Sequence, residues 1–196
     1  GGYSTSTGMN AGSIMDEFRI YNRALTADEI SQTWNQSLPL GGGATLVTVE
    51  IGTGTNTSYR VPWNHFYQYS RTQTIYQQAE INTLGQIQKI YYHVANWPAS
   101  YTYTQLKIWM GTTTLPSWTA TTQWIDNATL TLVYDGPITI TSPGWLEIPL
   151  QTPFTYNNTE NLVISIHEPL NVPSYAGSTY TFYYSTALTN RYLDGY

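Results

Sequence analysis

The feature that most constrains this chain is its two-residue period. From about residue 44 onward, short runs of strand-favouring residues alternate apolar and polar positions between clusters of Gly, Pro, Asn, Asp and Ser. The clearest runs are 46–51, 86–94, 105–110, 129–134, 145–150, 161–167 and 179–184. Successive strand side chains point to opposite sides of a sheet. Thus Leu162, Ile164 and Ile166 fall on one face, and Val163, Ser165 and His167 on the other. Asp135-Gly136-Pro137, Ser142-Pro143-Gly144 and Tyr156-Asn157-Asn158 carry turn chemistry. Strands at this spacing, with no helical period between them, predict an all-β fold: an antiparallel β-sandwich of jelly-roll type. No short internal repeat is present, which excludes a propeller or solenoid.

Composition narrows the function. Charged residues make up 10% of the chain, against a usual ~25%, while Tyr and Trp number 18 and 7. A surface built from hydroxyls and amides is typical of secreted β-proteins, so the expectation is an extracellular or cell-surface location. The chain has no Cys, which removes disulfides and thiolate chemistry. Net charge is −5 and the 7 basic residues are scattered, which speaks against nucleic acid as a partner. No apolar run approaches the ~18 residues of a spanning helix, so no membrane insertion is expected. The opening Gly1-Gly2-Tyr3-Ser4 reads as a processed or excised end.

Residues 1–40 form a strand–helix appendage ahead of a module at 41–196. Residues 12–21 read as a strand with Ile14, Phe18 and Ile20 on one face. Thr26 and Glu29 have the spacing of a capping box, flanked by Leu25 and Ile30 at the staple positions. The predicted helix ends near Asn35, and Gly41-Gly42-Gly43 makes a flexible joint.

The stretch IMDEFRIYNRALTADEI, residues 14–30, resembles the closing strand and short helix of a laminin-G-like, concanavalin-type domain. It covers about the first fifth of the chain. Residues 41–196 are similar to a jelly-roll repeat module of large secreted bacterial surface proteins. The likeness is carried by IGTGT (51–55), YSRTQTIY (69–76), KIWMG (107–111), TTQWI (121–125), LTLVYDG (130–136), LQTPFTYN (150–157) and NLVISI (161–166). The resemblance implies an adhesive or structural module without catalytic activity, whose partners are neighbouring copies or domains of the same surface protein. It carries over no functional residues.

The residues themselves offer little for bond-making chemistry. His65, His93 and His167 lie far apart and lack the close spacing of a zinc site. Glycosidases need two carboxylates flanking one bond. Glu50 and Glu147 are expected to face solvent, and nothing selects a pair such as Glu80 with Glu168. The chain is therefore read as not an enzyme, with no cofactor. The best local candidate for a structural Ca²⁺ is Asp126 with Asn127. The abundant aromatics suggest a contact surface. Trp97, Tyr101 and Tyr103 lie in one loop-like stretch, and Trp118 and Trp124 bracket another. They either form a platform for sugar rings or protein, or pack on their strand neighbours. The platform reading makes the chain a carbohydrate-binding module with a polysaccharide partner, the alternative to the structural and adhesive one.

The strand at Ile14, Phe18 and Ile20 lacks the earlier strands that would flank it in a laminin-G-like domain, and a lone strand exposes unpaired backbone groups. It pairs with the module in cis, is a remnant of a longer protein, or adds to a neighbouring subunit's sheet edge and builds a fibre. For the fibre, electron microscopy of the purified chain is expected to show filaments that vanish when residues 1–21 are deleted. Monomers persisting at high concentration would contradict it.

Overall fold

The computed structural model describes residues 46–67, 69–169, 179–185 and 190–195. The predicted N-terminal strand with Ile14, Phe18 and Ile20, and the predicted helix after it, lie outside the described residues. By compactness the chain divides into units at Gly1–Thr48 and Val49–Tyr196. The second unit is an antiparallel β-sandwich. Its strands are β1 (Asn56–Ser58), β2 (Ser70–Tyr76), β3 (Gly85–Asn96), β4 (Tyr101–Thr113), β5 (Thr131–Ile140), β6 (Gly144–Tyr156), β7 (Asn161–Glu168), β8 (Thr181–Tyr184) and β9 (Tyr192–Gly195). A one-turn helix, α1 (Gln78–Ile81), follows β2.

One sheet runs β1-β8-β3-β6 and the other β5-β4-β7-β2-β9. The pairs β1·β8, β2·β7, β3·β6 and β4·β5 are those of one long hairpin folded on itself. Rolling that hairpin adds the contacts β3·β8 and β4·β7 and gives the jelly roll. The last strand, β9, extends the second sheet beyond β2.

The sandwich core follows the two-residue period. Val94 of β3, Ile148 and Leu150 of β6 and Phe182 of β8 come from one sheet. Leu106, Ile108 and Met110 of β4 and Leu162, Ile164 and Ile166 of β7 come from the other. The predicted strands at 86–94, 105–110, 145–150 and 161–167 lie within β3, β4, β6 and β7. The run 179–184 narrows to β8, and 129–134 becomes a 3-10 turn at Asn127–Thr129 followed by β5.

Two expectations need correction. The run 46–51 forms no strand, and Leu46 and Val47 are exposed. Its alternation is strand-like, but only Asn56–Ser58 finds a partner edge, on β8. Asp135-Gly136-Pro137 is not a turn but lies inside β5. Opposite it the β4·β5 register shifts between Tyr103 and Leu106, so the extra residue bulges on β4 and the Asp135 segment continues as strand. Gln151 steadies it, its Oε1 accepting from Asp135 N at 3.0 Å and its Nε2 donating to Asp135 O at 3.0 Å.

The five-stranded sheet is buried on its outer face too. The long β4–β5 connection lies over it, and Trp118 joins Ile75, Val163 and Leu193 in a second apolar cluster. This explains why β7 is buried on both faces from Leu162 to Ile166. A Cβ added at Gly111 of β4 would come within 2.4 Å of Leu130 Cδ2, so any larger residue there would make the Leu130 side chain shift.

Gln73 of β2 fastens that connection. Its Nε2 donates to Ile125 O at 2.7 Å and its Oε1 accepts from Ile125 N at 2.9 Å. The side-chain amide thus acts as a strand partner for an isolated residue. Buried polar groups that lose such partners cost about 1–3 kcal/mol each. Gln73→Ala is therefore expected to lower unfolding free energy by roughly 2–4 kcal/mol, since it orphans both Ile125 groups. Denaturant titration measures the loss, and hydrogen exchange should show faster exchange at Ile125 N–H.

Candidate functional site

The predicted aromatic contact residues do not form an exposed platform. Trp97, Tyr103 and Trp118 are buried, and Tyr101 and Trp124 are half-buried. Tyr101 and Tyr103 are on β4 rather than in a loop. Trp118 and Trp124 belong to the connection over the five-stranded sheet, where the Arg71 guanidinium lies 4.8 Å from the Trp124 ring centre. These rings are spent on closing the sandwich, because a rolled sheet leaves open ends and faces that large side chains must fill.

One end is plugged around His65. Its ring lies 4.9 Å from Tyr101, 5.1 Å from Trp97 and 4.5 Å from Tyr180, centre to centre. Its Nδ1 shares a short hydrogen bond with the Tyr103 hydroxyl. Burial lowers the His65 pKa from 6.5 to about 4.

The acidic residues Glu80 and Glu168 are separated. Glu80 in α1 accepts from Gln77 N and is gripped by both Arg191 nitrogens at 2.5 and 2.7 Å. The Arg191 hydrogen bonds hold its carboxyl below the usual range. Glu168 is buried at the other end of the β2–β7 ladder, opposite Ser70. At ~3.4 Å per residue, roughly 20 Å of ladder lies between that end and the one leading to α1, so Glu80 and Glu168 make no acid pair. Asp126 caps the 3-10 turn by accepting from Ala128 N at 3.0 Å. Asn127 Oδ1 accepts from Ser165 Oγ at 2.8 Å and Arg71 at 3.3 Å. The Arg71 guanidinium thus lies on the Asn127 amide oxygen, and Asp126 spends one carboxylate oxygen on the turn. Among the described residues, no three His, Cys, Asp or Glu side chains gather as a metal site.

Three aromatic side chains share the solvent face of the four-stranded sheet. Tyr183 of β8, His93 of β3 and Trp145 of β6 make a row across three adjacent strands. His93 stacks on Trp145 with centres 4.5 Å apart and planes 14° apart, and lies 4.6 Å from Tyr183. Trp145 and His93 are directly opposite in the β3·β6 register. Trp145 is 56% exposed and Tyr183 38%. In the next register position, Glu147 accepts from the Tyr91 hydroxyl and from Lys89 Nζ, each at 2.8 Å. The Lys89 hydrogen bond, then that of Tyr91, holds the Glu147 carboxyl below its usual range. This cross-strand pairing neutralises the charge beside the rings.

Local sequence sets this row. Gly144 has φ of +124°, which L side chains rarely adopt, and it launches β6 from the Ser142-Pro143 turn with Trp145 outward. The signal was present in the strand period. Leu146, Ile148 and Leu150 point inward, which leaves Trp145 and Glu147 outside, and Val94 inward puts His93 and Tyr91 outside.

Comparison of the chain with family models, with curated proteins and with solved structures returns no match. The class that fold and site define is an all-β jelly-roll sandwich with an exposed aromatic row. The laminin-G-like and surface-module resemblances rest on their motifs alone.

His65 gives a pH test. Its folded pKa lies below its ordinary value, so the unfolded chain binds the extra proton between pH 6.5 and about 4. Stability is full above that window and falls as pH drops through it, by up to roughly 3 kcal/mol. Denaturant midpoints taken down to about pH 5, before carboxylates such as Glu80 titrate, should fall in the parent chain. His65→Asn, though less stable, should show a flatter slope.

Proposed function

We propose that this chain is a non-catalytic structural and adhesive module of a bacterial surface protein, working outside the cell. Its contact surface is the outer face of the four-stranded sheet. The observation that carries the reading is the row Tyr183–His93–Trp145, held in place by stacking and left open to solvent. Large aromatic side chains displayed on a rigid sheet lose little conformational freedom on contact, which suits a surface made for holding. The low content of charged residues, 10%, and the surface-module motifs support the extracellular setting.

The test is adherence. Beads carrying the chain should bind polysaccharide-coated or protein-coated surfaces above the level of uncoated ones. Trp145→Ala with Tyr183→Ala should remove most of that adherence while costing only about 1–2 kcal/mol in stability, because both residues are at the surface. Equal adherence by parent and variant would contradict the reading.

A further inference from the structure

We infer that the face bearing Trp145 binds a neutral polysaccharide, with a pyranose ring seated on the indole beside the β5–β6 turn. This rests on the adhesive reading above and names its ligand. A shallow groove of about 130 Å³ lies at that turn, lined by Thr139, Thr141, Ser142, Pro143 and Trp145 among its residues. No residue lining it is charged.

Three observations select the ligand. First, the indole is positioned before anything binds. His93 lies parallel to one side of it at 4.5 Å, and Tyr183 lies 4.6 Å from His93. The parallel stack uses one ring face, and the 56% exposure of Trp145 leaves the rest of the ring available. Second, hydroxyl-bearing residues line the groove beside the indole. Thr141 and Ser142 line it from the turn, whereas the Thr139 hydroxyl, bonded to Thr102 Oγ1 at 2.8 Å, belongs to the outer face of the five-stranded sheet. A pyranose has an apolar face of C–H groups and a rim of hydroxyls, so it matches an aromatic ring bordered by hydroxyls. Such a site takes its affinity from the ring and its orientation from a few polar contacts. Third, the nearby charges are already satisfied, since Glu147 is bonded to Lys89 and Tyr91. Among the described residues that line the groove, none offers a charged sugar a counter-charge.

An extended peptide fits less well. β6 is an edge strand of its sheet, but Pro149 and Pro153 interrupt it, and each lacks the N–H that an added strand would need.

Affinity electrophoresis of the full chain tests this, using soluble β-glucan, xylan, mannan and galactan, with polygalacturonate as the anionic control. At least one neutral polymer should retard the chain. Trp145→Ala should weaken that retardation about tenfold or more, and Trp145→Phe should restore part of it. Retardation by polygalacturonate alone, by no polymer, or equally for parent and Trp145→Ala would overturn the inference. Thermal melting of each variant shows whether it is folded, and Trp145→Phe keeps the test valid if the alanine variant is not. If bead adherence to protein coats depends on Trp145 while no polysaccharide retards the chain, the adhesive reading stands and the sugar ligand falls. If beads adhere to nothing, both fall.

Discussion

The bond pair between Gln73 and the Ile125 backbone is the point on which much of this sandwich depends. A jelly roll closes its core between two sheets, but here one sheet must also be covered outside, because β2 and β7 carry apolar residues on both faces. The cover is a loop, and a loop brings unpaired backbone groups wherever it is buried. Gln73 supplies both missing partners for one residue, and Ser165 and Arg71 converge on Asn127 two residues later. The polar side chains in the middle of this apolar face are the fasteners that let Trp118 reach its cluster.

Aromatic residues divide into two populations with opposite duties. Trp63, Tyr103, Trp97 and Phe182 fill the interior and meet mostly edge to face, as the centres 5.5 Å apart and planes at 90° for Trp63 and Tyr103 show. The His65 ring belongs with them, and the low dielectric around it keeps it neutral. Tyr183, His93 and Trp145 instead stand on a solvated sheet. The Trp145–His93 pair is nearly parallel, an arrangement that leaves part of the indole free. The first population stabilises the fold and the second is available for contact.

Much of the fold was legible because strand alternation is a local property. Leu162 to His167 could be assigned to faces without any knowledge of the partner strands. What alternation does not report is whether a second face is covered, and so the burial of Val163 and Ser165 had to come from the loop that lies over them. The site was less legible for the same reason. The stretches around Trp97 and Trp118 read as loop-like, yet the ends and flanks of a rolled sheet are where large rings are needed as filling. Trp145 was readable from the inward set Leu146, Ile148 and Leu150, since its place on the opposite face follows from the pleat. Asp135-Gly136-Pro137 has the composition of a turn, and the long-range pairing with β4 and the side chain of Gln151 hold it as strand.

The C-terminal strand has a mechanical consequence. β9 is held to β2 along a ladder from Arg71–Gly195 to Thr74–Tyr192, and the Arg191 guanidinium clasps Glu80 just beyond its inner end. A pull along β9 from its C-terminal side would load those ladder bonds together, in shear, with the ion pair as the last anchor. A pull across the strand would open them one at a time. The resistance of this module to tension therefore depends on the direction from which the load arrives.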